Sequence, residues 1–252
     1  MRIVNDGSKR LPTTGIEYLT HCWNFMSGCE NKERSICPVP NCWAKSITKR
    51  FPKLYPHGFE PTLYPSALLL PLSLKKPARI GVCFMSDLFG DWVDPDWIFS
   101  TINQCHQHQF FFLTKCPWNY QKWGKFPDNA WLGATICNQK MLKDTFMAFR
   151  NLPGYKWLSI EPLTESLNEL HYLPLLIETI GISWVVIGGW SGGKGKQPEI
   201  AWIREIIIAC DKAGIPVWLK YSLVGRIPIE EPFYKNDGSG WGIRQELPQV
   251  KG

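Results

Sequence analysis

From Arg79 onward, short apolar runs alternate with longer amphipathic ones. The apolar runs are Arg79–Met85, Phe110–Thr114, Trp131–Ile136, Lys156–Ile160, Trp184–Gly188 and Pro216–Lys220. They are hydrophobic on consecutive positions rather than alternate ones, which is the pattern of a parallel strand buried on both faces. Between them lie segments of helical period. Pro95–Gln107 opens with Asp94 as N-cap and Pro95 at the first helical position, Gln139–Arg150 follows the fourth exit, and Glu199–Ala213 stops at Gly214. Leu163–Thr179 carries helical segments broken near Pro174. Strands alternating with helices form right-handed βαβ units and a parallel sheet. An earlier strand within Ile16–Trp23 brings the count to about seven, so the expected fold is α/β, a partial or complete TIM-like βα barrel in one domain over residues 1–252. A doubly wound sheet is the alternative. The cysteine-bearing loop spans residues 22–43, a Pro-rich ordered insertion spans 51–77, and the tail 225–252 reads as irregular.

Barrels of this kind place their chemistry where strands exit toward the following helix. The exits carry Met85-Ser86-Asp87, Thr114-Lys115-Cys116, Cys137-Asn138, Glu161-Pro162, Gly188-Gly189-Trp190-Ser191 and Lys220-Tyr221. Any strand meeting water ends in polar residues, so a single exit carries little weight; the set carries more.

Composition narrows the setting. Hydrophobic residues make up 44% of the 252, enough for a large core, and the net charge of +6 tolerates an anionic substrate without requiring one. The first twelve residues are polar and charged, with no apolar core of a signal peptide. The longest apolar stretches, Ser66–Leu72 and Ser183–Gly189, are too short to span a bilayer. A cytoplasmic protein away from the membrane is therefore expected. Nine cysteines, four of them within residues 22–42, point to metal or redox chemistry rather than a disulfide framework.

Cys29, Cys37 and Cys42 form C-x7-C-x4-C. Three thiolates can hold three irons of a [4Fe–4S] cluster and leave the fourth open. A structural zinc site with a fourth ligand from Cys22, His21 or His57 is the competing reading, and spacing does not separate the two. The Gly188-x4-Gly193-Lys194 run resembles a phosphate-binding loop, but Gly195 stands where that loop needs a hydroxyl for magnesium.

The segment Trp23–Cys29 with Asn41-Cys42-Trp43-Ala44 resembles an uncharacterised phage and bacterial family with a three-cysteine motif, described as radical-SAM-like. Met85–Phe89, Leu113-Thr114-Lys115, Trp131-Leu132-Gly133, Asn138-Gln139, Glu161-Pro162-Leu163, Gly188-Gly189 with Ser191-Gly192, and Lys220 extend the resemblance across residues 16–222. It implies a barrel of the radical SAM type, with a [4Fe–4S] cluster on Cys29, Cys37 and Cys42 and S-adenosylmethionine as co-substrate. An electron donor such as a flavodoxin or ferredoxin is implied with it. Spacing in radical SAM enzymes is commonly C-x3-C-x2-C with an aromatic residue before the last cysteine; here the gaps are longer and Trp43 follows Cys42. On this reading Ser86, Asp87, Asn138, Gly188, Gly189 and Ser191 contact the cofactor, and Cys116, Glu161 and Lys220 take part in catalysis. Cys116 and Cys137 are candidate hydrogen-atom donors, and Lys115 and Lys220 neutralise anionic groups. A nucleotide or nucleic acid is the substrate expectation, a family-based extension of the phage association and the basic balance. The other reading is a zinc-stabilised barrel that binds nucleic acid or acts as an accessory protein.

Overall fold

The computed structural model describes residues 1–4, 10–31, 33–39, 41–90, 95–167, 172–190, 195, 197–236 and 238–249. Seven strands form the main sheet: β1 (His21–Trp23), β2 (Arg79–Val82), β3 (Gln109–Thr114), β4 (Ala130–Thr135), β5 (Tyr155–Ile160), β6 (Ile182–Ile187) and β7 (Val217–Leu219). Their order in the sheet is β7-β6-β5-β4-β3-β2-β1. The pairs β1–β2, β2–β3, β5–β6 and β6–β7 are parallel. Each strand thus lies beside its predecessor in the chain. A doubly wound sheet reverses its order at a switch point; this order does not reverse, and it has two ends. The winding is that of a partial α/β barrel.

The connecting helices are α1 (Trp43–Arg50), α2 (Pro95–Asn103), α3 (Gln139–Phe149), α4 (Tyr172–Thr179) and α5 (Ile200–Lys212). Pro174 falls in the first turn of α4, where a missing N–H costs no intrahelical bond. Asp94, the expected cap of α2, lies outside the described residues. All six residues of β4 are buried, and Trp131, Trp157 and Trp184 are wholly enclosed. The consecutive apolar positions read from the sequence are therefore two-faced burial. Strand β2 ends three residues earlier than expected, because Cys83 adopts φ +55° and turns the chain.

The chain divides into two compact units, Met1–Leu132 and Gly133–Gly252. In the first, the insertion contributes to a second sheet. Its strand Thr62–Leu63 pairs in parallel with Arg2–Ile3 and antiparallel with Met26–Ser27, making a second, three-stranded sheet. In the second unit, the tail is not irregular. Tyr234–Asn236 and Trp241–Ile243 form an antiparallel pair. Beyond it, Gln245 bridges Trp218 on β7, with Leu219 N–H donating to Arg244 O (2.8 Å) and Glu246 N–H to Val217 O (3.0 Å). The exposed edge of β7 explains this order: its unpaired backbone groups accept an added strand. Arg244 locks the strap, with only 4% of its side chain exposed and its guanidinium on Asp211 (2.6 Å) and Glu246 (2.9 Å).

Candidate functional site

Strand β1 delivers the chain to Met26–Ser27, and from there to Gly28 and Cys29. Gly28 is clamped on two sides. Its N–H donates to Met85 O (3.0 Å), and its carbonyl accepts from Ser86 Oγ (2.6 Å). Its φ is +86°, and a Cβ there would lie 2.3 Å from Glu60 O. Only glycine fits between the insertion and the exit of β2. Ser86, expected at a cofactor, therefore holds the backbone that precedes the first cysteine.

Asp87, at the same exit, is 5% exposed. Its Oδ1 accepts from Thr114 Oγ1 (2.6 Å) and Phe89 N–H (3.2 Å); its Oδ2 accepts from Lys115 N–H (2.9 Å) and Asn31 Nδ2 (2.6 Å). Four internal donors occupy the carboxylate that was expected to contact the cofactor. Asn31 carries the network into the cysteine loop. Its backbone N–H donates to Cys29 Sγ (3.3 Å), its carbonyl accepts from Ile36 N–H (2.8 Å) and Cys37 N–H (3.0 Å), and its Oδ1 accepts from the Cys116 thiol (3.5 Å). One buried residue thus links four others, Cys29 and Cys37 through its backbone and Asp87 and Cys116 through its side chain.

Cys29, Cys37 and Cys42 are all free thiols of intermediate exposure. Burial, reinforced by the charge of Asp87, pushes the Cys29 thiol up to about 12; the Asn31 N–H and Lys115 pull the other way. Burial first, then Asp87, also raises the Cys116 thiol. Cys42 is the N-cap residue of α1, and its carbonyl receives both the N–H and the hydroxyl of Ser46 at 3.1 Å. Lys45 of α1 reaches Glu33 at 3.9 Å, tying helix to loop. Among the described residues, no group of three or more His, Cys, Asp or Glu side chains is drawn together tightly enough to hold a metal. The residue types are those a soft metal takes, three cysteines in one loop with a backbone N–H donating to one sulfur, but their side chains are not gathered into a ligand set.

In the second unit the exits of β5, β6 and β7 supply a different arrangement. Lys220 Nζ sits on both carboxylate oxygens of Glu161, at 2.7 and 2.8 Å, with each side chain 19% exposed. Gly188 makes room for this pair, since a Cβ there would lie 2.8 Å from Glu161 Cδ. The backbone of Gly189 and Trp190 is held by Ser222 Oγ (3.1 Å) and Gln197 Oε1 (3.0 Å). The Cys137 thiol donates to Glu161 O at 3.6 Å. Asn138, expected to contact the cofactor, accepts Met141 N–H (2.9 Å) and caps α3. Ser191, Gly193 and Lys194 lie outside the described residues.

A family model described as a protein of unknown function, DUF5131, matches residues 13–226. The chain belongs to the DUF5131 family. The DUF5131 match takes in every site residue named above and ends before the tail that straps β7. No curated protein and no solved structure matches the chain. Among the described residues, no helix is long and apolar enough to cross a membrane. Sequence reasoning missed Asn31, Gln197 and Ser222, and quoted Gly28 and Thr114 without giving either a role of its own. Only Gly28, directly preceding the first cysteine, carried a signal that could have been read.

Proposed function

We propose that this DUF5131 protein is a cytoplasmic radical-SAM-like enzyme. Cys29, Cys37 and Cys42 would hold a [4Fe–4S] cluster, and S-adenosylmethionine would be the co-substrate. The observation that carries the reading is the Asn31 network, which fixes the loop of Cys29 and Cys37 to strand exits that end in Asp87 and Cys116. Active sites of α/β barrels are built at such exits. When bound, the cluster supplies reductive cleavage of S-adenosylmethionine and thereby hydrogen abstraction from a substrate. The chain's own residues fix the loop. Ser86 and Gly28 set the position of Cys29, Asp87 orients Asn31, and the Asn31 N–H donates to sulfur. Glu161 and Lys220 offer one charge of each sign to a substrate, with Lys220 suited to an anionic group. A nucleotide or nucleic acid is the proposed substrate class, supported by the net charge of +6. A flavodoxin- or ferredoxin-type donor would supply the electron.

The test is to purify the protein without oxygen, reduce it, add S-adenosylmethionine and assay 5′-deoxyadenosine. The account expects a brown protein that forms this product, and a C29A/C37A/C42A variant that does neither. One observation favours a second reading, a zinc-stabilised accessory or nucleic-acid-binding protein. Cys116 stands beside the loop as a fourth sulfur, and a closed zinc site needs four ligands. Colourless protein with one tightly held zinc per chain would overturn the first reading in favour of this one.

A further inference from the structure

We propose that the C-terminal strap positions Lys220 against Glu161, and that Arg244 is the positioning residue that locks the strap in place. The inference rests on the reading above only in taking the Glu161–Lys220 pair as one that meets substrate. Glu161 directly follows β5, Lys220 directly follows β7, and β6 lies between them in the sheet. The ammonium therefore spans the exit of β6 to reach both carboxylate oxygens, at 2.7 and 2.8 Å, where Gly188 leaves room. Such a reach depends on how β7 is seated along the sheet.

Strand β7 has only three residues, and alternate residues turn their backbone groups to opposite sides. Toward β6, Pro216 O accepts Val185 N–H (3.2 Å) and Lys220 N–H donates to Ile187 O (2.9 Å). Toward the open edge, the strap supplies the partners. Leu219 N–H donates to Arg244 O (2.8 Å), and Leu219 O accepts from Gln245 Nε2 (3.3 Å). Val217 O accepts Glu246 N–H (3.0 Å), and Val217 N–H donates to Glu246 Oε2 (2.9 Å). The residue directly before Lys220 is thus gripped at both its N–H and its carbonyl.

The grip is itself anchored. Arg244 donates to both oxygens of Asp211 on α5 (3.1 and 2.6 Å) and twice to Glu246 Oε2 (3.0 and 2.9 Å). Its backbone N–H reaches Phe233 O (3.0 Å), and the Trp184 indole of β6 donates to Glu246 O (2.8 Å). A fork of charged bonds to α5 therefore runs through the strap to Leu219 and on to Lys220. The family match ends at residue 226, so the grip is made by a segment beyond it.

The experiment acylates full-length wild type, R244M, the milder D211N, and E161Q with acetic anhydride. Mass spectrometry of peptides gives the rate at each lysine, and hydrogen exchange across Val217–Leu219 reports whether the strap is seated. Lys156, buried in the same unit with its Nζ on Leu152 O (2.8 Å), is the internal control for general unfolding. The inference expects E161Q to speed acylation of Lys220. R244M should speed it at least about tenfold, the factor that one lost charge-assisted hydrogen bond amounts to, and D211N by less. Both strap variants should exchange faster across β7 while Lys156 stays protected. A merely structural Arg244 would release Lys156 and Lys220 together. That outcome in D211N, which carries the test if R244M does not fold, would overturn the inference. So would faster exchange across β7 with Lys220 at its wild-type rate, unchanged exchange in both variants, or an E161Q no faster than wild type. The labelling needs neither cluster nor substrate. A wild type that forms no 5′-deoxyadenosine would sink the proposed enzyme and leave the role of the strap standing.

Discussion

At the exits of β2 and β3 the carboxylate of Asp87 is held by two backbone N–H groups, a hydroxyl and an amide. At the exits of β5 and β7 the carboxylate of Glu161 is held on both oxygens by the ammonium of Lys220. The two carboxylates are stabilised by different physics, and their surroundings differ accordingly. Asp87 sits in a rigid network of short bonds whose far end is sulfur. Such a network fixes geometry and leaves soft ligands as its unassigned chemistry. Glu161 and Lys220 complete one another and stay partly open to solvent, so either charge can be taken over by a ligand of opposite sign. The first region is a rigid frame of hydrogen bonds, the second a pair of charges held against one another.

The largest effect is expected from Asp87→Ala. It leaves four donors without an acceptor, and at about 1 kcal/mol or more for each the loss is on the order of 4 kcal/mol. Urea unfolding would report this, together with loss of metal uptake. Lys220→Met strands a half-buried carboxylate at a cost of up to about 3 kcal/mol, and the double variant E161Q/K220M recovers most of that loss. If D87A were the milder of the two, the contrast between rigid frame and charge pair would be wrong. Gly28→Ala forces a Cβ onto the backbone of Glu60 at positive φ, for about 1–3 kcal/mol, and displaces Cys29. Metal uptake should fall further than stability does.

The smallest effect concerns His108, at the other end of β3 from the cysteines. It is 1% exposed, and burial lowers its affinity for a proton. A depressed imidazole favours the neutral form in the folded state. Its contribution is whole above the unfolded value of about 6.5 and declines as the pH drops below it. Unfolding followed from neutral to mildly acidic pH should show that decline in wild type and not in H108L.

The strands were legible because two-faced burial leaves consecutive apolar residues, and β3 to β6 lie within a residue or two of the runs Phe110–Thr114 to Trp184–Gly188. The tail was not, since its order comes from the open edge of β7 pairing with Gln245, and no local pattern announces an edge. Among the site residues, Glu161 and Lys220 were named separately at their exits, and only the fold pairs them across 59 positions. Asn31 was invisible for the same reason. Its partners Asp87 and Cys116 stand 56 and 85 residues away, and an asparagine near a cysteine has no local signature. Asp87 was legible as important, but four internal donors make it an organiser of the loop.

The most direct measurement is the iron and sulfide content of anaerobically reconstituted protein, compared across single alanine variants of its cysteines. The account predicts a [4Fe–4S] complement in wild type that collapses in C29A, C37A and C42A and persists in C116A and C137A. A wild type that takes up no iron, or a C37A or C42A variant that holds as much as wild type, would contradict it.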